Sequence, residues 1–143
     1  MPTSTVRYLR GLAAGLAFLV VPLLVAWAAS ADTSLVGQMM PYGFMVTVAW
    51  WLAVIAGTAV AVGNTHRMTA GVIVGVVSVV LLQGSIALLQ APEMRVETFT
   101  SLRVWEAAIV TVALPWLIGA AFGWSMIHRH PLRNDGVASD GDS

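Results

Sequence analysis

Apolar residues run along this chain in four long stretches, at about 8–29, 42–63, 68–89 and 104–127, separated by short polar breaks. A helix needs about 20 predominantly apolar residues to cross about 30 Å of hydrocarbon, and each stretch meets that length. Valine runs such as 72–80 favour strands locally. Uninterrupted apolar length favours helix over the ten-residue alternating segments of a transmembrane barrel. In lipid a helix also satisfies its own backbone polar groups. The pattern predicts an all-α protein: an integral membrane four-helix bundle with up-down connectivity.

The breaks are short. Residues 31–41 join the first pair of spans. Residues 64–67 form a tight turn, with Gly63 and Asn64 as the expected helix stop, so the second and third spans make an antiparallel hairpin. Residues 90–103 join the last pair, with Pro92 ending the third helix. The polar stretch 128–143 reads as a disordered tail. The chain is therefore one transmembrane domain, 1–127, followed by that tail.

Composition strengthens this picture. Hydrophobic residues make up 58% of the 143, charged residues 10%, and mean hydropathy is +0.83; an ordinary soluble domain carries about 25% charge. So apolar a chain lacks the polar groups to cover itself in water, but lipid solvates such an exterior. The net charge of zero gives no basic field for nucleic acid. The absence of cysteine excludes disulfides and thiolate chemistry.

Orientation follows from arginine placement. Arg7, Arg10, Arg67, Arg129 and Arg133 fall on one side of the predicted spans, and Arg95 and Arg103 on the other. Five against two puts both termini in the cytoplasm of a multi-pass protein of the cell membrane. Trp27 and Trp105 then fall near the outer interface and Trp124 near the inner one. The first span also has an alternative reading, since Arg7 and Arg10, an apolar run and Ala29-Ser30-Ala31 fit a signal peptide cleaved after Ala31.

Helix association in lipid gains little from burying apolar surface and depends on close contact between small-residue faces. Candidate packing positions are Gly11 and Gly15 in the first span, Ala53 and Gly57 in the second (within the series Ala49, Ala53, Gly57, Ala61), Gly71 and Gly75 in the third, and Gly119 and Gly123 in the fourth. All the glycine clusters fall toward the cytoplasmic half, so the bundle is expected to be tight there and looser outside. Pro22 and Pro115 sit inside spans and read as static kinks.

Ionisable residues inside a membrane are the default functional candidates, and the middle of every span lacks them. Glu106 is the nearest, in the first turn of the fourth span, three residues after Arg103. It reads as an interfacial ion pair or a polar site at the mouth of a cleft. Gln83, deep in the third span, reads as an interhelical hydrogen-bonding residue or part of a polar path. Trp50 and Trp51 are adjacent and point about 100° apart, so one faces lipid or a partner; with Trp116 they are candidate contacts for another membrane protein or a lipid. His66, His128 and His130 read as solvated interface histidines, and the cytoplasmic Arg and His set can meet anionic lipid headgroups. No phosphate loop, dinucleotide fingerprint, nucleophile elbow or zinc-protease motif is present, and no catalytic residue, cofactor or metal is assigned. The expectation is a non-enzymatic accessory, assembly or structural subunit of a membrane complex, partnered by lipids and by other membrane subunits or itself. The alternative is a small oligomeric transporter or channel with a polar site near Glu106 and Gln83.

Overall fold

The computed structural model of the chain describes residues 2–31, 39–89 and 92–129. These form six helices: α1 (Pro2–Ala17), α2 (Val20–Ala31), α3 (Met39–Thr65), α4 (Met68–Leu89), α5 (Pro92–Thr100) and α6 (Leu102–Arg129), with no strand among the described residues. Four helical stretches are long and apolar enough to cross a membrane: Ser4–Ala28, Phe44–Thr65, Met68–Ala87 and Leu102–Arg129. Residues 1, 32–38, 90–91 and 130–143, and with them the expected disordered stretch and most of the first connection, lie outside the described residues.

The first stretch is two helices rather than one. The chain turns at Phe18 and Leu19, where the Leu19 N–H donates to the Leu16 carbonyl at 3.0 Å in a tightened turn. Pro22 lies in the first turn of α2, where a missing N–H costs nothing because that turn has no intrahelical acceptor to reach. By contrast, Pro115 lies within an unbroken α6.

Two expected boundaries shift. The segment 90–103 is not a plain connection. It carries α5, whose C-terminal Phe99 carbonyl accepts from Trp105 Nε1 of α6 at 2.9 Å. The helix stop expected at Gly63 and Asn64 moves to His66, because α3 runs through both residues to Thr65. His66 adopts a left-handed φ of 54° and its N–H caps the Val62 carbonyl at 2.9 Å. That conformation costs a residue with a Cβ about 1–2 kcal/mol, so a propensity argument favours the glycine that the chain passes over.

α3 is the helix around which the bundle closes. It packs against α1, α2, α4 and α6. Half the residues in the most apolar window of α3 and of α4 are buried, against 28% for the first stretch and 33% for α6. α1 meets one face of α3 in antiparallel fashion, with Gly11 against Asn64 and Thr65, and Gly15 against Gly57 and Ala61. A parallel α6 meets a different face, with Gly119 against Ile55 and Thr58, and Gly123 against Ala59 and Val62. Toward the other end the core is filled by bulkier side chains, chiefly Leu19, Val46, Trp50, Val54, Leu82 and Val112. Side-chain volume therefore rises where the glycines stop.

The backbones touch. A methyl group at Gly15 would lie 2.6 Å from the Gly57 carbonyl oxygen, and one at Gly57 would lie 2.6 Å from the Gly15 carbonyl oxygen. Neither oxygen can move without bending its helix. Gly84 on α4 has nothing within 4 Å of the same position. Gly15→Ala should therefore destabilise the bundle by about 1–3 kcal/mol through overpacking, while Gly84→Ala stays within about 0.5 kcal/mol of wild type. Reversible unfolding in mixed micelles of denaturing and mild detergent reads both values.

Candidate functional site

Two regions carry the chain's distinctive chemistry: a polar seam inside the bundle, and a basic cleft at the end that holds the N-terminus and the α3–α4 turn.

The seam begins with Trp116. Gly71 and Gly75 leave a groove on α4, and the Trp116 indole of α6 fills it. A methyl at Gly75 would meet Trp116 Cδ1 at 2.8 Å. The indole N–H donates to the Gly71 carbonyl at 2.7 Å. Trp116 is thus spent on joining α6 to α4, rather than standing free for a partner. Thr58 of α3 sits between the same helices, fully buried, with its methyl 3.4 Å from where a Gly71 side chain would start and its Cβ 2.9 Å from the corresponding point at Gly119. Its hydroxyl has no hydrogen-bond partner. Ser78 and Ser85, also buried, return their hydroxyls to their own helix, at the Val74 carbonyl (2.6 Å) and the Leu81 carbonyl (2.9 Å).

The two adjacent tryptophans separate cleanly. Trp50 is 1% exposed in the core and its buried indole N–H lacks an acceptor, whereas Trp51 is 38% exposed. Only Trp51 of this pair is open to lipid or a partner. It shares an outward stripe on α3 with Phe44, Met45, Val48 and Leu52, at the spacing of one helical face. Ala53 is buried on the opposite side.

Gln83 is fully buried on α4, and Glu106 is exposed on α6. One chain does not bring the two to a common solvent-facing surface. His128 is used locally, its Nδ1 lying 3.0 Å from the Trp124 carbonyl and its ring stacked at a tilt on Trp124. His130 lies outside the described residues. Among the described residues no three His, Cys, Asp or Glu side chains gather where they could hold a metal ion.

The basic cleft was not legible as a unit in the sequence. It has a volume of about 730 Å³ and is lined by Ser4, Thr5, Arg7 and Tyr8 of α1 with Thr65, His66 and Arg67 of the α3–α4 turn. About sixty positions separate its two halves, and no local motif links them. The packing of Gly11 on Asn64 and Thr65 is what brings them together. The Arg67 guanidinium lies 5.9 Å from the centre of the Tyr8 ring, within the range of a cation–π contact. The Tyr8 hydroxyl reaches Thr69 Oγ1 at 3.4 Å, tying α1 to the start of α4. Thr65 Oγ1 donates to the Ala61 carbonyl at 2.6 Å and lies 3.3 Å from the Arg67 N–H, which fixes the turn.

No protein family, curated protein or solved structure matches the chain, so function has to be argued from its own geometry.

Two substitutions test the seam. Thr58→Val removes a buried hydroxyl without a partner and keeps the shape, so stability should be unchanged or rise by up to about 1 kcal/mol. Trp116→Phe keeps most of the ring but loses the hydrogen bond to Gly71, and should cost about 0.5–1.5 kcal/mol; Trp116→Ala also empties the groove and should cost about 3–5 kcal/mol. Detergent-induced unfolding followed by tryptophan fluorescence and by circular dichroism distinguishes the three.

Proposed function

We propose that this chain is a non-enzymatic, multi-pass component of the cell membrane, acting as an accessory, assembly or structural subunit through its membrane-embedded outer surface. The observation that carries this reading is the closed interior. Backbone contacts at Gly15–Gly57, Gly119–Ile55 and Gly123–Ala59 bring α1 and α6 onto α3 with no space between them. The buried polar residues, Thr58, Ser78, Gln83 and Ser85, are uncharged amides and hydroxyls with no group that exchanges protons near neutrality. The exterior is where the chain has surface to offer. Most of α6 and of the first stretch faces outward, and the Phe44, Met45, Val48, Trp51 and Leu52 stripe carries the Phe, Met and Trp side chains that are enriched in protein interfaces. We commit to a transmembrane helix of another subunit as its occupant.

The five-to-two division of arginines supports an orientation with both termini in the cytoplasm. The alternative of an oligomeric transporter requires Glu106 and Gln83 to line one path, and their opposite burial in a single chain argues for the subunit reading first.

Purification of the tagged protein in mild detergent, with the particle's native mass and the identity of its companions determined by mass spectrometry, is the direct test. The expected result is a foreign membrane subunit in stoichiometric amount. Trp51→Ala combined with Phe44→Ala should strip that subunit while leaving the unfolding midpoint of the isolated chain unchanged. A pure homo-oligomer that moves a solute, with activity lost in Glu106→Gln, would replace this reading with transport.

A further inference from the structure

The cleft between α1 and the α3–α4 turn has the composition of an anion site. Two guanidinium groups, Arg7 and Arg67, line it with His66, and hydroxyls come from Ser4, Thr5, Tyr8 and Thr65. Among the described residues no carboxylate lines the cleft. The glutamates of the described chain, Glu93, Glu97 and Glu106, lie on α5 and near the start of α6, at the other end of the bundle. Arg7 and Arg67 therefore share a cleft as like charges with no acidic neighbour in it among the described residues. An anion held between them converts their repulsion into two attractions.

Depth narrows the ligand. The depth of the cleft rests on the membrane reading proposed above: the candidate span in α3 ends at Thr65 and that in α4 begins at Met68, which puts residues 65–67 at the boundary where hydrocarbon gives way to headgroups. Each of these spans is 20–22 residues long, which at about 1.5 Å per residue matches the hydrocarbon thickness. A volume of about 730 Å³ exceeds what a simple inorganic ion fills and accommodates a phosphorylated headgroup. Arginine's planar fork pairs with two phosphate oxygens at once. Tyr8 holds Arg67 from one side, and the left-handed His66 fixes the direction in which the turn delivers it.

We propose that this cleft binds a phosphate group, with Arg7 and Arg67 as its paired ligands and the Thr5 hydroxyl as a further hydrogen-bond donor. An anionic phospholipid headgroup and a soluble phosphate compound share that chemistry. The boundary position favours the lipid.

The test uses the full chain, stripped of lipid in a neutral detergent, with native mass spectrometry as the readout. The probes are phosphatidylglycerol and phosphatidylcholine of identical acyl chains, and inorganic phosphate. One phosphatidylglycerol should remain bound at concentrations where phosphatidylcholine does not. Arg7→Gln with Arg67→Gln should weaken that binding at least tenfold, while Arg129→Gln, at the same end of the bundle but outside the cleft lining, leaves it within twofold. Should the double variant fail to fold, Arg7→Gln alone, on the exposed second turn of α1, carries the same expectation at smaller size. Inorganic phosphate binding as tightly as phosphatidylglycerol, with the same dependence on Arg7 and Arg67, would support the site and assign it a soluble ligand. Equal binding of the two lipids without phosphate binding, or wild-type phosphatidylglycerol affinity in the folded arginine variants, would overturn the proposal.

Discussion

Everything in this bundle depends on how closely α1 and α6 approach α3. In water, apolar side chains would drive that approach. In lipid they would not, because hydrocarbon would surround the helices whether they are associated or apart. What remains is dispersion between atoms in contact, which falls off steeply with a gap of even half an ångström. Glycine at positions 15, 57, 119 and 123 removes the side chains that would open such a gap, so carbonyl oxygens of one helix rest on Cα atoms of the next. The rest of the architecture follows from this. The α4 groove can be filled by an indole only because α6 is held close enough to deliver it, and the basic cleft exists only because Gly11 seats α1 against the end of α3.

Much of the architecture was written in the apolar pattern. Four helices of spanning length and the α3–α4 hairpin follow from the lengths of the apolar stretches and the shortness of residues 64–67. The points that escaped the pattern share a physical cause. α5 is short and of mixed polarity, so no periodicity marks it. The break at Phe18 and Leu19 lies within an apolar run, ahead of a proline whose effect falls on the preceding turn. The α3 stop falls at a histidine because backbone geometry at the hairpin overrode local propensity.

The candidate residues divide in the same way. Adjacency alone required Trp50 and Trp51 to face different directions, but which one enters the core depends on which helices pack on which side of α3, which no local window contains. Trp116 offered an aromatic deep in the fourth span, and nothing nearby in sequence announced the Gly71–Gly75 groove that receives it. The cleft was hardest to see, since its halves are distant in sequence and each half reads as ordinary interfacial polarity. The signal that could have found it was the pairing of glycine in α1 with small residues near the end of α3, followed through to the charged residues just beyond.

The placement of α3 also bears on biogenesis. The two-residue turn at His66 and Arg67 makes α3 and α4 a hairpin that can form as one unit soon after synthesis. The α1 contact face on α3 is complete at that moment, so three of the four spans can assemble while the ribosome is still making α6. The face that accepts α6, from Ile55 to Val62, then stands uncovered until α6 arrives. During that interval Ile55, Thr58, Ala59 and Val62 present a face able to accept any helix of suitable shape. α6 therefore does more than add a helix to the bundle: it closes the window in which the nascent chain could pair with the wrong neighbour.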